Sequence, residues 1–458
     1  MKILLTHGYF LNDDPKEREI MRPYPPLGML YVSAWLEKQG YDNDVFDTTF
    51  SSFQDLCNKI LETSPEVLAI YTNLMTKLNV LRLISFVRNQ KELEQTRIIL
   101  GGPEVKNHKE NFLKHGADYL VLGEGEQTMF ELVDSLKFQR DISVVEGIAY
   151  LRDGQVAVTP ERSQMRELDQ LPLPNRKKIN LQRYFDAWKE KHGTSAISIN
   201  TMRGCPYTCK WCSRAVYGLS YRRRSPRHVA DEMEWISANY EVDSIWFVDD
   251  VFTISHKWLK EFVTEINARG LVKPFECITR ADRMNAEVIQ LLKDAGCFRV
   301  WIGAESGSQK VIDLMDRRVD VNQVRQMIIE SQKAGIQAGT FIMVGYPGET
   351  KADIDETILH LKESNPDLFT ITVAYPIKGT ELYQEVESRF VDQLPWDKST
   401  DRQIDFKRTY TRKYYDYAVR LIVNDVNSHK ASLKGEWVVF AKLKSKAMVA
   451  RLAMTLMS

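Results

Sequence analysis

Short apolar runs, each closing in a turn, alternate with stretches of helical spacing along the first 140 residues of this 458-residue chain, and again over 196–385. In the first block the apolar runs lie at 2–6, 44–47, 67–71, 97–100 and 119–122, with helical spacing at 26–36, 52–63, 79–89 and 128–136. Strands separated by helices cannot pair as simple hairpins. They need crossover connections, which give a parallel sheet. Two of the runs pass directly into glycine turns, Gly101-Gly102-Pro103 and Gly123-Glu124-Gly125-Glu126. Such sheets bind ligands at the carboxyl ends of their strands. Glycine there admits the close approach of a large flat or phosphorylated ligand, although the same turns also serve simply to join strand to helix.

The second block predicts strands at 196–200, 244–248, 274–278, 299–303, 340–344 and 368–373. Six parallel strands with helices between them suit an open barrel. Between the blocks, 141–195 reads as a connector. Runs at 148–151 and 155–158 flank Arg152-Asp153-Gly154, a hairpin signal, and the prolines at 172 and 174 make a stiff linker. Residues 386–458 are rich in aromatic and basic residues, including Tyr410, Tyr414, Tyr415, Tyr417 and Trp437, and read as a small helical domain. Its last stretch, 442–457, is basic and apolar with no acidic residue. Two readings stand there: a peripheral membrane contact, or a terminal helix packed on the body.

Composition narrows the class. Apolar residues at 43% and charged residues at 27% are ordinary for a globular chain. Lys+Arg and Asp+Glu both number 62, which argues against a general nucleic-acid-coating surface. No apolar run approaches the roughly 20 residues of a membrane span. The N-terminal run is too short for a signal peptide, and the expected location is the cytoplasm.

Three of the six cysteines, Cys205, Cys209 and Cys212, fall within eight residues as CxxxCxxC, just after the predicted strand at 196–200. Three thiolates on one loop can hold three irons of a 4Fe–4S cube and leave the fourth iron open to a small molecule. Structural zinc takes four closed ligands, and no second pair is present; His228 stands without a partner at ligand spacing. Electron-transfer clusters usually have four cysteines. Cys277 and Cys297 fall on predicted barrel elements and read as small buried hydrophobes.

This loop, with the aromatic Trp211 before its last cysteine, resembles the cluster loop of the radical S-adenosylmethionine (SAM) enzymes. The resemblance implies that Cys205, Cys209 and Cys212 are both the metal ligands and the catalytic centre. It places Asp249 and Asp250 by the SAM amino group and Arg280 by its carboxylate. Glu305 and Ser306 would lie near the ribose and methionine, and Gly345 and Gly348 by the adenine. Residues 1–140 resemble the cobalamin-binding module of one branch of this superfamily, through Pro25-Pro26-Leu27-Gly28, Gly101-Gly102-Pro103-Glu104 and the segment from Gly123 to Thr128. That likeness implies cobalamin held near Gly101, Gly102, Gly123, Glu124 and Gly125. The DxHxxG motif that supplies a lower histidine ligand is absent, since His7 is followed by Gly8-Tyr9-Phe10. The lower face of the cobalt would then meet Asn73, Met75 or water. The radical methylthiotransferases, a rival family, need three further cysteines before the barrel, and only Cys57 is there.

The implied fold is α/β: a Rossmann-like doubly wound parallel sheet of the cobalamin-binding type (1–140), a connector (141–195), a partial (β/α)6 radical SAM barrel (196–385) and a small helical C-terminal domain (386–458). The implied chemistry is reductive cleavage of SAM to a 5′-deoxyadenosyl radical, followed by methylation of an unactivated carbon or phosphorus through methylcobalamin. Alternatives are a ring-forming radical SAM enzyme related to the anaerobic porphyrin cyclases and a non-catalytic iron–sulfur carrier. The implied partners are a small-molecule substrate and an electron donor such as flavodoxin or ferredoxin.

Overall fold

In the computed structural model, which describes residues 1–392 and 394–457, the first block forms a seven-stranded sheet. Its strands are β1 (Ile3–His7), β2 (Asp44–Phe46), β3 (Val67–Tyr71), β4 (Arg97–Gly101), β5 (Tyr119–Val121), β6 (Ile148–Arg152) and β7 (Gln155–Val158), in the order β2-β1-β3-β4-β5-β6-β7. The first five are parallel, and β6 and β7 add antiparallel. Alternation along each strand feeds two cores. Leu4, Leu68, Ile70, Ile98 and Leu100 pack with the helices Phe53–Thr63 and Lys77–Arg88. Ile3, Leu5, Val67, Ile99 and Val121 pack with the helices Leu27–Lys38 and Gly125–Lys137 on the other face. The strand order reverses between β1 and β3, the place where such sheets open a crevice for ligands.

The expected connector is shorter than its sequence suggests. The hairpin of β6 and β7 belongs to the N-terminal sheet: Tyr119 pairs with Tyr150 and Val121 with Ile148, burying Ile148, Ala149 and Tyr150. A hairpin signal fixes a turn but not the third strand it will join, and β5 would otherwise leave an open edge. The linking segment therefore begins after Val158. It includes the helix Leu181–His192 and leads into the barrel.

The barrel strands are β8 (Ala196–Ile199), β11 (Ser244–Phe247), β12 (Phe275–Thr279), β13 (Cys297–Glu305), β14 (Gln337–Val344) and β15 (Leu368–Val373), in chain order and all parallel. A short ribbon of β9 (Met202–Arg203) and β10 (Arg222–Arg223) brackets the cysteine loop. Outward residues such as Ile245, Phe247, Cys277, Val300 and Ile302 form the largest core beneath the helices. The alternate positions, Trp246, Glu276, Trp301 and Phe341, point the other way, into the lumen. The barrel stays open between β8 and β15.

The tail, whose residues Gln393 and Ser458 lie outside the described ones, is helical. The helix Arg412–Leu433 covers β14 and β15 through Tyr414, Tyr415, Leu421 and Ile422, and the helix Trp437–Thr455 packs along it. Before them, Trp396 crosses back to the N-terminal domain. Its ring meets Phe112 edge-on at 4.8 Å, and the Lys77 ammonium lies 4.9 Å from it. Among the described residues no helix is long and apolar enough to cross a membrane.

Candidate functional site

The cysteine loop runs from β9 to β10 across the carboxyl end of the barrel. Its entry depends on Gly204, which has φ +82°; a Cβ there would lie 2.3 Å from Ser220 Oγ and 2.6 Å from its carbonyl oxygen. The loop is then fastened from outside. Thr208 donates to Asp316 at 2.6 Å, the Lys210 N–H to the Met315 carbonyl at 3.1 Å, and the Leu382 N–H to the Lys210 carbonyl at 2.9 Å. The Arg280 guanidinium lies over the Tyr207 ring, 3.7 Å from its centre. Trp211 packs into a small apolar cluster with Val311, Met315, Tyr346 and Phe406, which makes it part of the loop's seating.

Cys209 is buried, and two guanidiniums point at its sulfur: Arg280 at 3.9 Å and Arg317 at 3.8 Å. Burial pushes the Cys205 thiol up. Cys212 meets solvent, yet the surrounding protein, followed by the Asp250 carboxylate, pushes its thiol up to about 12. Cys205 and Cys212 so placed resist ionising on their own and need a metal group to draw off their protons. Among the described residues no His, Cys, Asp or Glu trio converges on a point that would hold one ion. A cube suits the loop better than zinc does, because each thiolate then takes a different iron.

The predicted SAM contacts divide. Asp250 lies near Cys205 and Cys212, and burial followed by the neighbouring Asp249 raises its pKa. Glu305 holds φ +66° at a register shift of β13, with its carboxylate 3.6 Å from Arg317; burial raises its pKa. A non-glycine residue kept in that region at a strand end is a mark of functional sites. Asp249, by contrast, is committed within the protein. It accepts from the backbone of Thr201 at 2.7 Å and Met202 at 3.1 Å, and from the Thr201 hydroxyl and Arg223. It sets the turn that launches the cysteine loop and has no free face for an ammonium. Arg280 is likewise used up: besides Cys209 it donates to Asp282 at 2.8 Å and to the Arg317 carbonyl at 2.8 Å. Ser306 is buried against Thr357 and caps the Ser308 N–H. Gly345 and Gly348 frame a turn whose amide at Gly345 donates to Glu349, and Arg408 and Tyr415 of the tail cover that turn. These residues position the site from behind.

Beneath the glycine turns of the N-terminal sheet lies a cavity of about 400 Å³. Leu5, Ala69, Ile99 and Val121 of the sheet face form its floor; Gly28, Gly101, Gly102, Gly123, Glu124 and Gly125 line its mouth. Its far wall is Val216 and Tyr217, which come from the loop immediately after Cys212. An apolar slot with small residues at its mouth fits the insertion of a flat heterocycle carried on a larger group, as cobalamin carries one. Gly102 is required for a different reason than expected. A Cβ there would lie 2.3 Å from the Thr72 carbonyl, so it serves strand packing. Asn73 does not line the cavity. Its carboxamide oxygen accepts from the Met75 and Thr76 amides at 2.9 and 3.0 Å, capping the next helix. Met75 lies on the surface against Arg402. From β3 the cavity is reached by Ala69, Ile70 and Tyr71.

The two sites are clamped together. Arg203, one residue before Gly204, donates to Glu126 at 3.2 Å, with Glu124 at 3.6 Å; both Arg203 and Glu126 are buried. Burial alone would favour an uncharged Arg203, but Glu126 reverses this and holds the guanidinium's pKa well above its ordinary value. The lumen beyond is walled by aromatic rings. Trp301 stacks on Phe341 at 5.0 Å, and Tyr24, from the proline-rich entry segment, stacks on Trp246 at 6.3 Å. A buried carboxylate there, Glu276, accepts from Trp301 Nε1 at 2.9 Å and from Arg299 at 3.1 Å.

Comparison with known proteins agrees with this geometry. The radical SAM superfamily model matches residues 199–361 and the B12 binding domain model matches 19–133. An uncharacterized methyltransferase of Pyrococcus horikoshii is 27% identical over 87% of this chain and 86% of its own. The anaerobic magnesium-protoporphyrin IX monomethyl ester cyclase of Rubrivivax gelatinosus is 27% identical over 84% of this chain and 70% of its own. The structure of the cobalamin-dependent SAM radical enzyme OxsB superposes with a TM-score of 0.77 at 14% identity, covering 99% of this chain and 72% of its own. The chain belongs to the radical SAM enzymes that carry a cobalamin-binding domain. The cofactor set of that family is a 4Fe–4S cluster, SAM and cobalamin.

Sequence reasoning did not single out several residues of the site, among them Val216, Tyr217, Arg317 and Gly204. Arg317 reaches Cys209 across 108 positions, and no local pattern announces it. Gly204 did carry a signal: a glycine directly before a ligand loop marks a backbone that must turn where a side chain would collide.

Proposed function

We propose that this enzyme transfers a methyl group to an unactivated carbon or phosphorus of a small-molecule substrate held in the barrel lumen. The observation that carries the reading is the shared wall: Val216 and Tyr217 close the N-terminal cavity while following Cys212 in the same loop. The residues that would hold cobalamin and those that would hold the cluster therefore serve one space. When bound, the cluster and SAM supply a hydrogen-abstracting radical, and cobalamin supplies a methyl group. The chain's own work is positioning. Cys205, Cys209 and Cys212 would ligate the cluster, and Arg280 and Arg317 steady the Cys209 sulfur. Asp250 and Glu305 offer carboxylates to the amino group and hydroxyls of SAM. The aromatic walls exclude water from the reacting centre. The electron donor we infer is a flavodoxin or ferredoxin, in a reducing compartment such as the cytoplasm.

A second reading, ring closure on a large planar substrate, draws support from the aromatic pairs Tyr24–Trp246 and Trp301–Phe341 and from the similarity to the cyclase. One experiment separates the two. The anaerobically reconstituted enzyme, loaded with cobalamin, is given SAM and reductant with candidate acceptors. Methyl transfer gives 5′-deoxyadenosine together with S-adenosylhomocysteine and a product heavier by one methylene. Ring closure gives 5′-deoxyadenosine without S-adenosylhomocysteine. Neither product, from protein with an intact cluster, would leave only the carrier reading. Cys209→Ala should lose the cluster altogether.

A further inference from the structure

The helix Trp437–Thr455 has two apolar faces. One, carrying Ala447, Ala450 and Met454, is buried against the body. At about 100° per residue, the opposite side carries Trp437, Val438, Met448, Val449, Leu452 and, just past the helix, Leu456. These six side chains are between 63% and 84% exposed. A contiguous apolar stripe of this kind on a soluble surface marks an interaction site.

The stripe is edged by cations on both sides. The same angular arithmetic puts Lys442 and Lys446 along one border and Lys444 and Arg451 along the other. Lys444 reaches back to Asp425 at 2.6 Å and Arg451 to Asp355 at 2.7 Å, so these two also brace the helix. Lys442 and Lys446 stand exposed. From Trp437 to Met457 the sequence has no Asp or Glu.

We propose that this face docks on a bilayer surface rich in anionic lipid. The helix lies flat, with its apolar stripe at the headgroup–acyl boundary and its lysines extended to the phosphates. Trp437 at the helix start is the residue type that settles at that boundary. It lies on the membrane without spanning it, in keeping with the absence of a spanning helix among the described residues. Charge decides between occupants. A second copy of this chain would bring the same cations against these and no carboxylate on the helix to meet them. An anionic lipid surface satisfies both borders at once.

The test is flotation of the full-length, cofactor-loaded enzyme with vesicles of phosphatidylcholine, alone or mixed with phosphatidylglycerol. The enzyme should float with the mixed vesicles at low salt and remain largely free with the neutral ones. Each cation near such a surface contributes a factor of about five, so K442E/K446E should weaken binding by about thirtyfold or more. V449E/L452E should abolish flotation, with the circular dichroism spectrum and SAM cleavage unchanged. If that variant misfolds, K442Q/K446Q carries the test, with weakening of about twenty-five-fold. No flotation with mixed vesicles, or equal flotation with both kinds, overturns the proposal. So does a dimer in sedimentation velocity that V449E/L452E dissolves in the absence of any vesicle binding; the face would then meet a second copy.

Discussion

Removing the carboxylate of Glu126 leaves the Arg203 guanidinium charged and buried between the two domains. Breaking a buried ion pair from one side costs about 3–5 kcal/mol, because the surviving charge stays out of water without its counterion. Glu124 lies 3.6 Å from the same guanidinium and takes up part of the deficit. This puts Glu126→Leu at the lower end, about 3 kcal/mol. For a cooperative unit of 150–250 residues that is roughly 6–12 °C in Tm. Replacing both partners by apolar residues of similar volume removes the stranded charge, so R203M/E126L should recover most of the loss. Differential scanning calorimetry of the parent, both single variants and the double variant completes the cycle, and cobalamin retained after desalting reports on the cavity beside it. A Glu126→Leu protein melting within about 2 °C of the parent, or a double variant no better than the single, would refute the claim that this pair holds the domains together.

Three further outcomes test the site. Gly204→Ala should lower iron per chain after reconstitution, because the left-handed φ costs about 1–2 kcal/mol and the collision with Ser220 roughly 1–3 kcal/mol more; full iron content would show that the loop yields. Asp250→Asn should keep its iron but cut SAM cleavage by about 10–100-fold, the worth of a charge-assisted hydrogen bond, as read from 5′-deoxyadenosine. Burial raises the Glu349 carboxyl from 4.5 to about 8, so the fold favours its neutral form. Its contribution to stability is fully present below pH 4.5 and is lost as the pH rises through about 8. Glu349→Gln should therefore gain on the parent in Tm between pH 5 and 9, and parallel curves would exclude that role.

Local patterning carried the fold a long way. The runs at 67–71 and 368–373 coincide with β3 and β15, and all six barrel strands lie where the apolar runs put them. Periodicity and turn residues are properties of a few neighbouring positions, and each of these elements is decided by them. The pairing of β6 with β5 is not, because it depends on which strand happens to need an edge partner. The same limit governs the site. The cysteines announce themselves by spacing. Whether Asp249 faces a ligand or the backbone of Thr201 depends on an approach across 48 positions, and the commitment of Arg280 to the Arg317 carbonyl spans 37. Spacing alone does not show that Asp249 and Arg280 are already engaged by the protein's own groups.

Among the contacts that fasten the N-terminal domain to the rest, three lie far apart in the chain: Glu126 to Arg203, Asn107 to the Lys378 carbonyl at 2.7 Å, and Phe112 under Trp396. Three separated latches cannot be released one at a time to any useful extent, since each holds the others in register. Separating the two walls of the slot between the domains is then one cooperative event, in which these distant contacts break together.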